Sequence, residues 1–402
     1  MRVSTNGMYD SGTIAMLRQQ DALIKTQQQI STGRRILTPA DDPIAAAQAL
    51  NVSQAASINS QYSVNRGHAL TSLGLVETTL QSITSNLQDV RQVAVNAGNP
   101  TLSDTDRKSL AIELRGHFEA LLGQANITDG TGNYLFSGFQ ENTQPFTHKG
   151  FNVQYNGDQG QRLNQVGPSR QIAVSNSGTD VFERIKNGNG IFVTAANATN
   201  TGSGVINSGS VTAPASLTGH SYDITFSVSG NVATYDIVDT TSGATLSSGN
   251  AFANNNTISF DGLQFSIKGD PANGDKFTVS PSTNQSIFTT IGNLITTLEA
   301  PSSGQPGGTQ LTNNLNSALQ NLDNSLENIL STRASVGSRL QEVEALESMG
   351  EDFEVQYEQR LSELRDVDFA KAISDLNRQQ VYLEAAQKSF ATVTGLSLFD
   401  FI

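Results

Sequence analysis

Residues 315–343 read LNSALQNLDNSLENILSTRASVGSRLQEV, and their large apolar side chains recur in steps of three and four. This spacing is typical of the a/d seam of a coiled coil, and Arg333 is the one polar residue that interrupts it. The surrounding stretch, residues 310–402, contains no proline and only three glycines, so we expect long helices here. The seam positions are Leu315, Leu319, Leu322, Leu326, Ile329, Val336, Leu340 and Val343. A helix with one apolar stripe needs a partner to bury that stripe.

The stripe resumes after an acidic patch and continues toward the C-terminus. Its members there are Tyr357, Leu361, Leu364, Ile373, Leu376, Leu383 and Phe390. Gln380 and Gln387 fall at the positions where Ile373 would repeat. These glutamines either edge a core or form a polar half-seam that lowers the stability of the free chain and sets register between copies.

The N-terminal end of the chain carries a matching helical pattern, from about residue 10 to Thr32. Its apolar positions are Ile14, Leu17 and Ile24, with Met16, Leu23 and Ile30 at heptad spacing. Gly33 stands where a helix C-cap is expected. Because a solitary helix of this kind is marginal in water, we expect this segment to become ordered only against partners.

Two further helices are predicted before the middle of the chain. Asp42 is placed to cap a helix that Pro43 opens, and no proline follows until Pro100. Ser103 and Asp106 have the spacing of a capping box for the next helix. The apolar stripes are Leu73, Val76, Leu80, Ile83, Leu87, Val90 and Ala94 in the first, and Leu110, Leu114, Phe118, Leu121 and Ala125 in the second.

Beyond Asn126 the apolar period shortens from about 3.5 to about 2, which indicates strands. Short strands are predicted within residues 133–140, 151–160 and 170–176, and a larger β region over about 190–282. In that region Asp261-Gly262 predicts a two-residue hairpin. Residues 195–209 are low in complexity and are predicted to form a surface loop, and residues 301–309 a linker.

We therefore predict an α+β fold in which long N- and C-terminal helices pair in an antiparallel coiled-coil bundle, with β-rich domains inserted in the middle of the chain. The predicted domains are a terminal helical assembly domain (1–42 and 365–402), a helical bundle with short β-hairpins (43–189 and 283–364), and a β-rich outer domain (190–282).

Composition excludes several classes of partner. The net charge is −13 and no basic run is longer than Arg34–Arg35, so no nucleic acid is expected. No stretch approaches eighteen consecutive apolar residues, so no membrane span is expected. The first residues lack the apolar core of a Sec signal peptide, which predicts that any export uses another route.

No feature of the sequence predicts catalysis. Serine-hydrolase, zinc-protease and phosphate-loop motifs are absent, and the four histidines are far apart without metal-ligand spacing. There is no cysteine to ligate a metal. We expect no enzyme activity, no catalytic residues, no cofactor and no metal.

Long stretches at both ends resemble the bacterial flagellin superfamily, and within it most closely the family of flagellar hook-associated protein 3, the hook–filament junction proteins. The stretches are QQQISTGRRILTPADDPIAAAQAL (27–50), LVETTLQSITSNLQDVRQVAVNAGN (75–99), NITDGTGNYLFSGFQ (126–140) and LRDVDFAKAISDLNRQQVYLEAAQKSFATVTGLSLFDFI (364–402). Residues 190–282 add little to the resemblance.

The resemblance implies a structural component of the flagellum, a junction subunit that joins hook to filament. It implies export through the flagellar type III apparatus and an extracellular location. The implied partners are copies of the chain, hook-associated protein 1, flagellin, and an export chaperone on the C-terminal helix. We expect the assembly interface to be formed by Ile14, Leu17, Leu23, Ile24, Ile30, Ile373, Leu376, Leu383 and Phe390.

Two alternatives remain at this point. The first is a filament flagellin with a modest variable region. The second is a secreted binding or enzymatic module within residues 190–282, for which we find no clustered polar constellation.

Overall fold

The computed structural model of the protein describes residues 5–230, 232–302 and 304–395. As far as they are described, these residues form two compact units. The terminal unit comprises Met1–Asn65 and Ala345–Ile402, and the central unit comprises Arg66–Glu344. The outermost ends of the predicted assembly domain, 1–4 and 396–402, lie outside the described residues.

The helices begin and end where local capping chemistry allows. They are α1 (Thr5–Thr32), α2 (Pro43–Ala97), α3 (Asp104–Ala125), α4 (Ile287–Glu299), α5 (Gln305–Arg365) and α6 (Phe369–Gly395). Gly33 has φ +71°, the left-handed conformation that ends α1. The Asp42 carboxylate accepts the Ala45 N–H at 3.0 Å at the start of α2. Ser103 and Asp106 form the predicted capping box of α3.

In the terminal unit, the first part of α2 packs against the last part of α5 in antiparallel direction. Ala45 and Ala49 are buried against Leu364, and their small side chains allow the helices to approach closely. Farther along, the Asn59 side-chain amide donates to the Gly350 carbonyl at 2.8 Å. The Ser63 hydroxyl donates to the Glu347 carboxylate at 2.6 Å.

In the central unit, the remainder of α2 forms a helical bundle with α3, α4 and α5. All seven predicted seam positions of α2 from Leu73 to Ala94 are fully buried, which confirms the heptad. Beside the bundle, aromatic rings fill the space above the short hairpins. They are Phe118, Phe136, Phe146, Phe182 and Phe288, and neighbouring ring centroids lie 5.2–5.9 Å apart.

Fifteen strands lie within the described part of the central unit. They are β1 (Phe146–Lys149), β2 (Asn152–Tyr155), β3 (Leu163–Gly167), β4 (Arg170–Ala173), β5 (Ile185–Lys186), β6 (Phe192–Ala196), β7 (Val205–Ile206), β8 (Ser210–Val211), β9 (Tyr222–Ser229), β10 (Val232–Asp239), β11 (Thr245–Ala251), β12 (Thr257–Phe260), β13 (Leu263–Lys268), β14 (Lys276–Pro281) and β15 (Asn284–Gln285).

Strands β6 to β14 form two antiparallel sheets that share one core. One sheet has the order β11-β10-β9-β14-β6, and the other has the order β12-β13-β7 with β8 also paired to β13. Alternate residues of both sheets are buried together, among them Tyr222, Ile224 and Phe226 from β9 and Phe265 and Ile267 from β13. Asp261 (φ 45°) and Gly262 (φ 77°) form the predicted two-residue hairpin turn.

Asparagine side chains of α5 attach the β region to the helix. Asn313 accepts the Ile206 N–H at 3.0 Å and donates to the Gly204 carbonyl at 3.1 Å. Three more asparagines make bonds of this kind: Asn321 accepts the Gly188 N–H, and Asn324 donates to the Lys186 and Gly188 carbonyls. Asn328 donates to the Asp180 and Val181 carbonyls. We call these four residues the asparagine ladder. These bonds satisfy backbone N–H and C=O groups of residues 180–206 that face α5.

The predicted fold class is confirmed: terminal helices flank a β-rich middle. Three local predictions were wrong. Residues 133–140 form turns rather than a strand, residues 195–209 include the ends of β6 and all of β7, and α5 begins within the predicted linker. Gly202 and Gly204 are buried: Asp275 accepts the N–H groups of Thr201 and Gly202, and the side chains of Phe277 and Ile267 lie beside Gly204. The division into three domains stays a prediction.

Candidate assembly surface

Helices α1 and α6 lie side by side in antiparallel direction. Near the start of α1, the Tyr9 ring meets the Phe390 ring edge-to-face, with centroids 6.0 Å apart. Midway, the Gln19 side-chain amide donates to the Gln379 carbonyl at 3.4 Å. Beyond the end of α1, the Gly33 carbonyl accepts the Val367 N–H at 2.9 Å. The order of these contacts sets the direction of the pair.

Each helix presents a seam of six positions to the other, spaced alternately by four and three residues. The α1 seam is Gly12, Met16, Gln19, Leu23, Thr26 and Ile30, and the α6 seam is Ala372, Leu376, Gln379, Leu383, Ala386 and Phe390. All twelve are buried or half-buried. Of the nine predicted interface residues, five occupy these seams: Leu23, Ile30, Leu376, Leu383 and Phe390. These five side chains hold the chain's own two ends together.

The other four predicted residues point outward. Ile14, Leu17, Ile24 and Ile373 leave between 48% and 59% of their surface exposed. Ile14, Leu17 and Ile24 follow one another at steps of three and seven along α1, so they share one face. We call these four side chains, together with Val381 and Tyr382 of α6, the outer face.

Sequence periodicity missed two members of the outer face, Val381 and Tyr382, which are 61% and 56% exposed. They lie off the heptad positions of α6, so a search for one seam passes over them. The signal that could have found them is the adjacent apolar pair itself, on a helix whose seam is already complete. Gln380 and Gln387, which the sequence placed either at the edge of a core or in a polar half-seam, are exposed, and the seam glutamine of α6 is Gln379.

The polar side chains Gln19 and Gln379 of the α1–α6 seam form only some of the hydrogen bonds open to them. The Gln379 side-chain oxygen is buried, and among the described residues it has no hydrogen-bond partner. An unsatisfied buried acceptor costs about 1–3 kcal/mol. The two ends of the chain are therefore held together less firmly than an all-apolar seam would hold them.

The loop between α1 and α2 fixes the base of the pair. The Arg35 N–H donates to the Arg365 carbonyl at 2.7 Å, and its guanidinium donates to the Leu364 carbonyl at 2.8 Å. The Asp41 carboxylate lies 2.6 Å from the Lys25 ammonium. The bond from Lys25, with those from the Thr38 and Leu37 N–H groups, lowers the pKa of Asp41 from 3.8 to about 2. The loop thus has its own ion pair at neutral pH.

The β region has a polar cluster that bears on the alternative of a catalytic module. His220 Nδ1 lies 2.6 Å from the Asp239 carboxylate. Burial opposes ionisation of this carboxylate, but bonds from Ser242, His220 and the Thr241 N–H outweigh it and lower the pKa of Asp239. Because three of these bonds come from residues 241 and 242, the carboxylate is committed to the turn that follows β10.

Within the described ranges, no group of three or more His, Cys, Asp or Glu side chains is arranged to hold a metal ion. Over the same residues, none of the helices, α5 included, has an apolar stretch suited to crossing a bilayer.

Comparison with known proteins places this geometry in a family. The profile of the bacterial flagellin N-terminal helical region matches residues 3–141, and that of the D2-like domain of flagellar hook-associated protein 1 matches residues 195–281. Flagellar hook-associated protein 3 of Escherichia coli is 30% identical over 401 residues, which cover 100% of this chain and 99% of that protein.

A solved structure and a flagellin refine the comparison. The flagellar junction protein FlgL from Legionella pneumophila has 32% identity and a TM-score of 0.72, covering 79% of this chain and 100% of that chain. Flagellin of Listeria monocytogenes is 26% identical over 134 residues, 33% of this chain and 45% of that protein. Similarity along the whole length therefore distinguishes the junction proteins from the filament proteins. The chain belongs to the flagellar hook-associated protein 3 family, structural components of the bacterial flagellum at the hook–filament junction.

Proposed function

We propose that this chain joins hook to filament by packing the outer faces of α1–α6 pairs from neighbouring copies against one another. The observation that carries the proposal is the exposure of large apolar side chains on both terminal helices. Ile14, Leu17 and Ile24 of α1 and Ile373, Val381 and Tyr382 of α6 are each about half exposed or more. Large apolar side chains that stay exposed on a helix pair are typical of interaction surfaces.

The magnitude of this burial favours an assembly of many copies over a pair. Covering the exposed half of six such side chains is worth roughly 5–9 kcal/mol per copy. Association costs about 4–15 kcal/mol in lost freedom of motion. The burial of one copy's outer face is thus of the same size as this cost, which favours an assembly in which several neighbours together cover that face.

The finer partners follow from the family and are proposed with the same mechanism. Hook-associated protein 1 is the neighbour on the hook side and flagellin the neighbour on the filament side. An export chaperone covers α6 before assembly, because α6 has apolar side chains on both its seam and its outer face. The chain reaches the outside of the cell through the flagellar export apparatus. It has a structural role and no catalytic one.

Truncation of α6 tests the proposal. A chain ending at Ala372 keeps the whole central unit but loses most of α6. In a strain that lacks the protein, we expect this truncated chain to be made and folded but to leave hooks bare, with monomeric flagellin in the medium. Normal filaments in that strain would contradict the proposal.

Immunogold labelling of detached flagella distinguishes the junction from the filament. We expect a single band of label at the boundary between hook and filament. Label along the whole filament would instead assign the chain to the filament proteins.

A further inference from the structure

A glycine of α1 makes room for an aromatic ring of α6. A Cβ atom added at Gly12 would lie 2.7 Å from Cδ2 and 3.0 Å from Cε2 of Phe390. The Phe390 ring thus occupies the space that any other side chain at position 12 would need. The Tyr9 ring, one turn before Gly12 in α1, also contacts the Phe390 ring edge-to-face.

A looser contact between a glycine and a phenylalanine, at an ordinary van der Waals distance, lies at the other end of the pair, where Phe369 is 52% exposed. The Cβ position of Gly33, just beyond α1, is 3.9 Å from the tip of the Phe369 ring at the first residue of α6. Gly33 has φ +71°, so glycine is also the residue that its backbone favours.

The two contacts have matched spacings. Gly12 and Gly33 stand 21 residues apart, and so do Phe369 and Phe390. In an antiparallel pair, a single register therefore places Phe390 beside Gly12 and Phe369 beside Gly33. A slip of one heptad would move Phe390 from Gly12 to the level of Gln19, where a long polar side chain already stands.

We infer that these two glycine–phenylalanine contacts set the register of the α1–α6 pair and so determine which apolar side chains stand together on the outer face. The inference rests on the proposed function, because a defined register matters only if that face is what neighbouring copies bind. Apolar seams of leucine and isoleucine tolerate heptad slips, whereas a ring that fits at one glycine does not. The contacts are thus specificity determinants of the junction.

A pair of glycine substitutions in the same helix separates this role from helix stability. Alanine normally stabilises a helix where it replaces glycine. Gly7 of α1 has nothing within 4 Å of its Cβ position, so Gly7→Ala is the matched control. Gly12→Ala has the same local effect on the helix but displaces Phe390.

The register can be measured directly because the chain contains no cysteine. With Gly12 opposite Phe390, Met16 stands opposite Ala386, and the slip of one heptad that brings Phe390 to Gln19 would bring Leu23 opposite Ala386. In the full chain, we expect Met16→Cys with Ala386→Cys to form a disulfide under mild oxidation, and Leu23→Cys with Ala386→Cys to form little. Adding Gly12→Ala should reduce the first cross-link, and adding Gly7→Ala should leave it unchanged.

Function is read in a strain that lacks the protein. We expect Gly12→Ala to reduce filament attachment and Gly7→Ala to preserve it. Phe390→Leu combined with Gly12→Ala should recover part of the loss, because the smaller side chain leaves room for the added methyl group.

Equal cross-linking and equal attachment in the two alanine variants would overturn the inference. That result is distinguishable from failure of the proposed function, which would appear as normal filaments with the chain that ends at Ala372. If that truncated chain fails to attach filaments while Gly12→Ala behaves as Gly7→Ala does, the register inference alone is wrong.

Discussion

Arg333 of α5 binds Glu77 of α2, with its Nε and Nη2 atoms 3.0 and 2.6 Å from one carboxylate oxygen, Glu77 Oε1. The two side chains are 25% and 28% exposed. Arg333 is the residue that interrupts the apolar seam of α5, and its partner lies on the facing helix of the bundle. The interruption is therefore an ion pair across the seam rather than a defect in it.

Removing one member of this pair should destabilise the central unit more than removing both. Arg333→Leu leaves a half-buried carboxylate, and Glu77 Oε2 already has no partner among the described residues. We expect a loss of about 1–3 kcal/mol in the free energy of unfolding, measured by urea denaturation. Glu77→Leu with Arg333→Leu should recover most of that loss. A double variant no more stable than Arg333→Leu would mean that the ion pair has no such role.

Reducing the apolar surface of the outer face should weaken assembly without unfolding the chain. Leu17→Ser removes about 1–2 kcal/mol of burial at each contact between copies. We expect about tenfold weaker filament attachment, scored as the force or shear needed to detach filaments, and an unchanged thermal unfolding of the central unit. Ile112→Ser is the control, because Ile112 of α3 is 70% exposed but belongs to the central unit. Equal losses in both variants would contradict the assignment of the outer face.

The loop between α1 and α2 should lose order in acid. The folded-state pKa of Asp41 is about 2, below its ordinary value of 3.8. The stabilisation is therefore complete above about pH 4 and is lost as the pH falls through 2. Hydrogen-exchange mass spectrometry of residues 33–42, corrected for intrinsic rates, should show protection falling over that interval. In Asp41→Asn the protection should be low already at neutral pH, whereas Asp21→Asn, an exposed acid of α1, should behave like the unaltered chain.

The asparagine ladder should contribute to the stability of the central unit. Asn321 is 8% exposed, and its side-chain oxygen accepts the Gly188 N–H at 2.9 Å. Asn321→Ala leaves this buried donor unsatisfied, and we expect a loss of about 1–3 kcal/mol and faster exchange of the Gly188 amide. Asn314→Ala, at an exposed position of the same helix, should be neutral or slightly stabilising. Similar unfolding free energies in the two variants would mean that the asparagine ladder does not stabilise the central unit.

Much of the fold follows from local rules, which is why it could be predicted. The α2 heptad, the Ser103 capping box and the Asp261-Gly262 turn depend on residues within a few positions of one another. The α5 seam was predicted with less success. Val336 and Val343 are buried as expected, but Leu319, Leu326 and Leu340 are half-buried, and the small residues Ala318 and Ser325 lie deeper. At these positions α5 lies close to its neighbours, so small side chains are buried more deeply than leucine.

The remaining features depend on partners far away in sequence. The asparagines of α5 are polar residues that the apolar pattern passes over, and their partners are backbone groups more than 100 residues away. In the terminal unit, Ile373 is larger than Ala372 and was therefore placed in the seam, although Ala372 is the buried residue. Gly12 could not be recognised from the sequence, because Gly7 of the same helix has nothing within 4 Å of its Cβ position.

The Gln19–Gln379 contact joins residues 360 positions apart, and Phe390 reaches Gly12 across a still longer interval. Contacts between residues so far apart in sequence form late in folding, because the whole intervening chain must be present before the two helices can meet. A polypeptide broken off before its final helix has no ring to place at Gly12. If neighbouring copies bind the outer face as proposed, the same arrangement serves as a completeness check, because a copy without α6 lacks Ile373, Val381 and Tyr382 of that face.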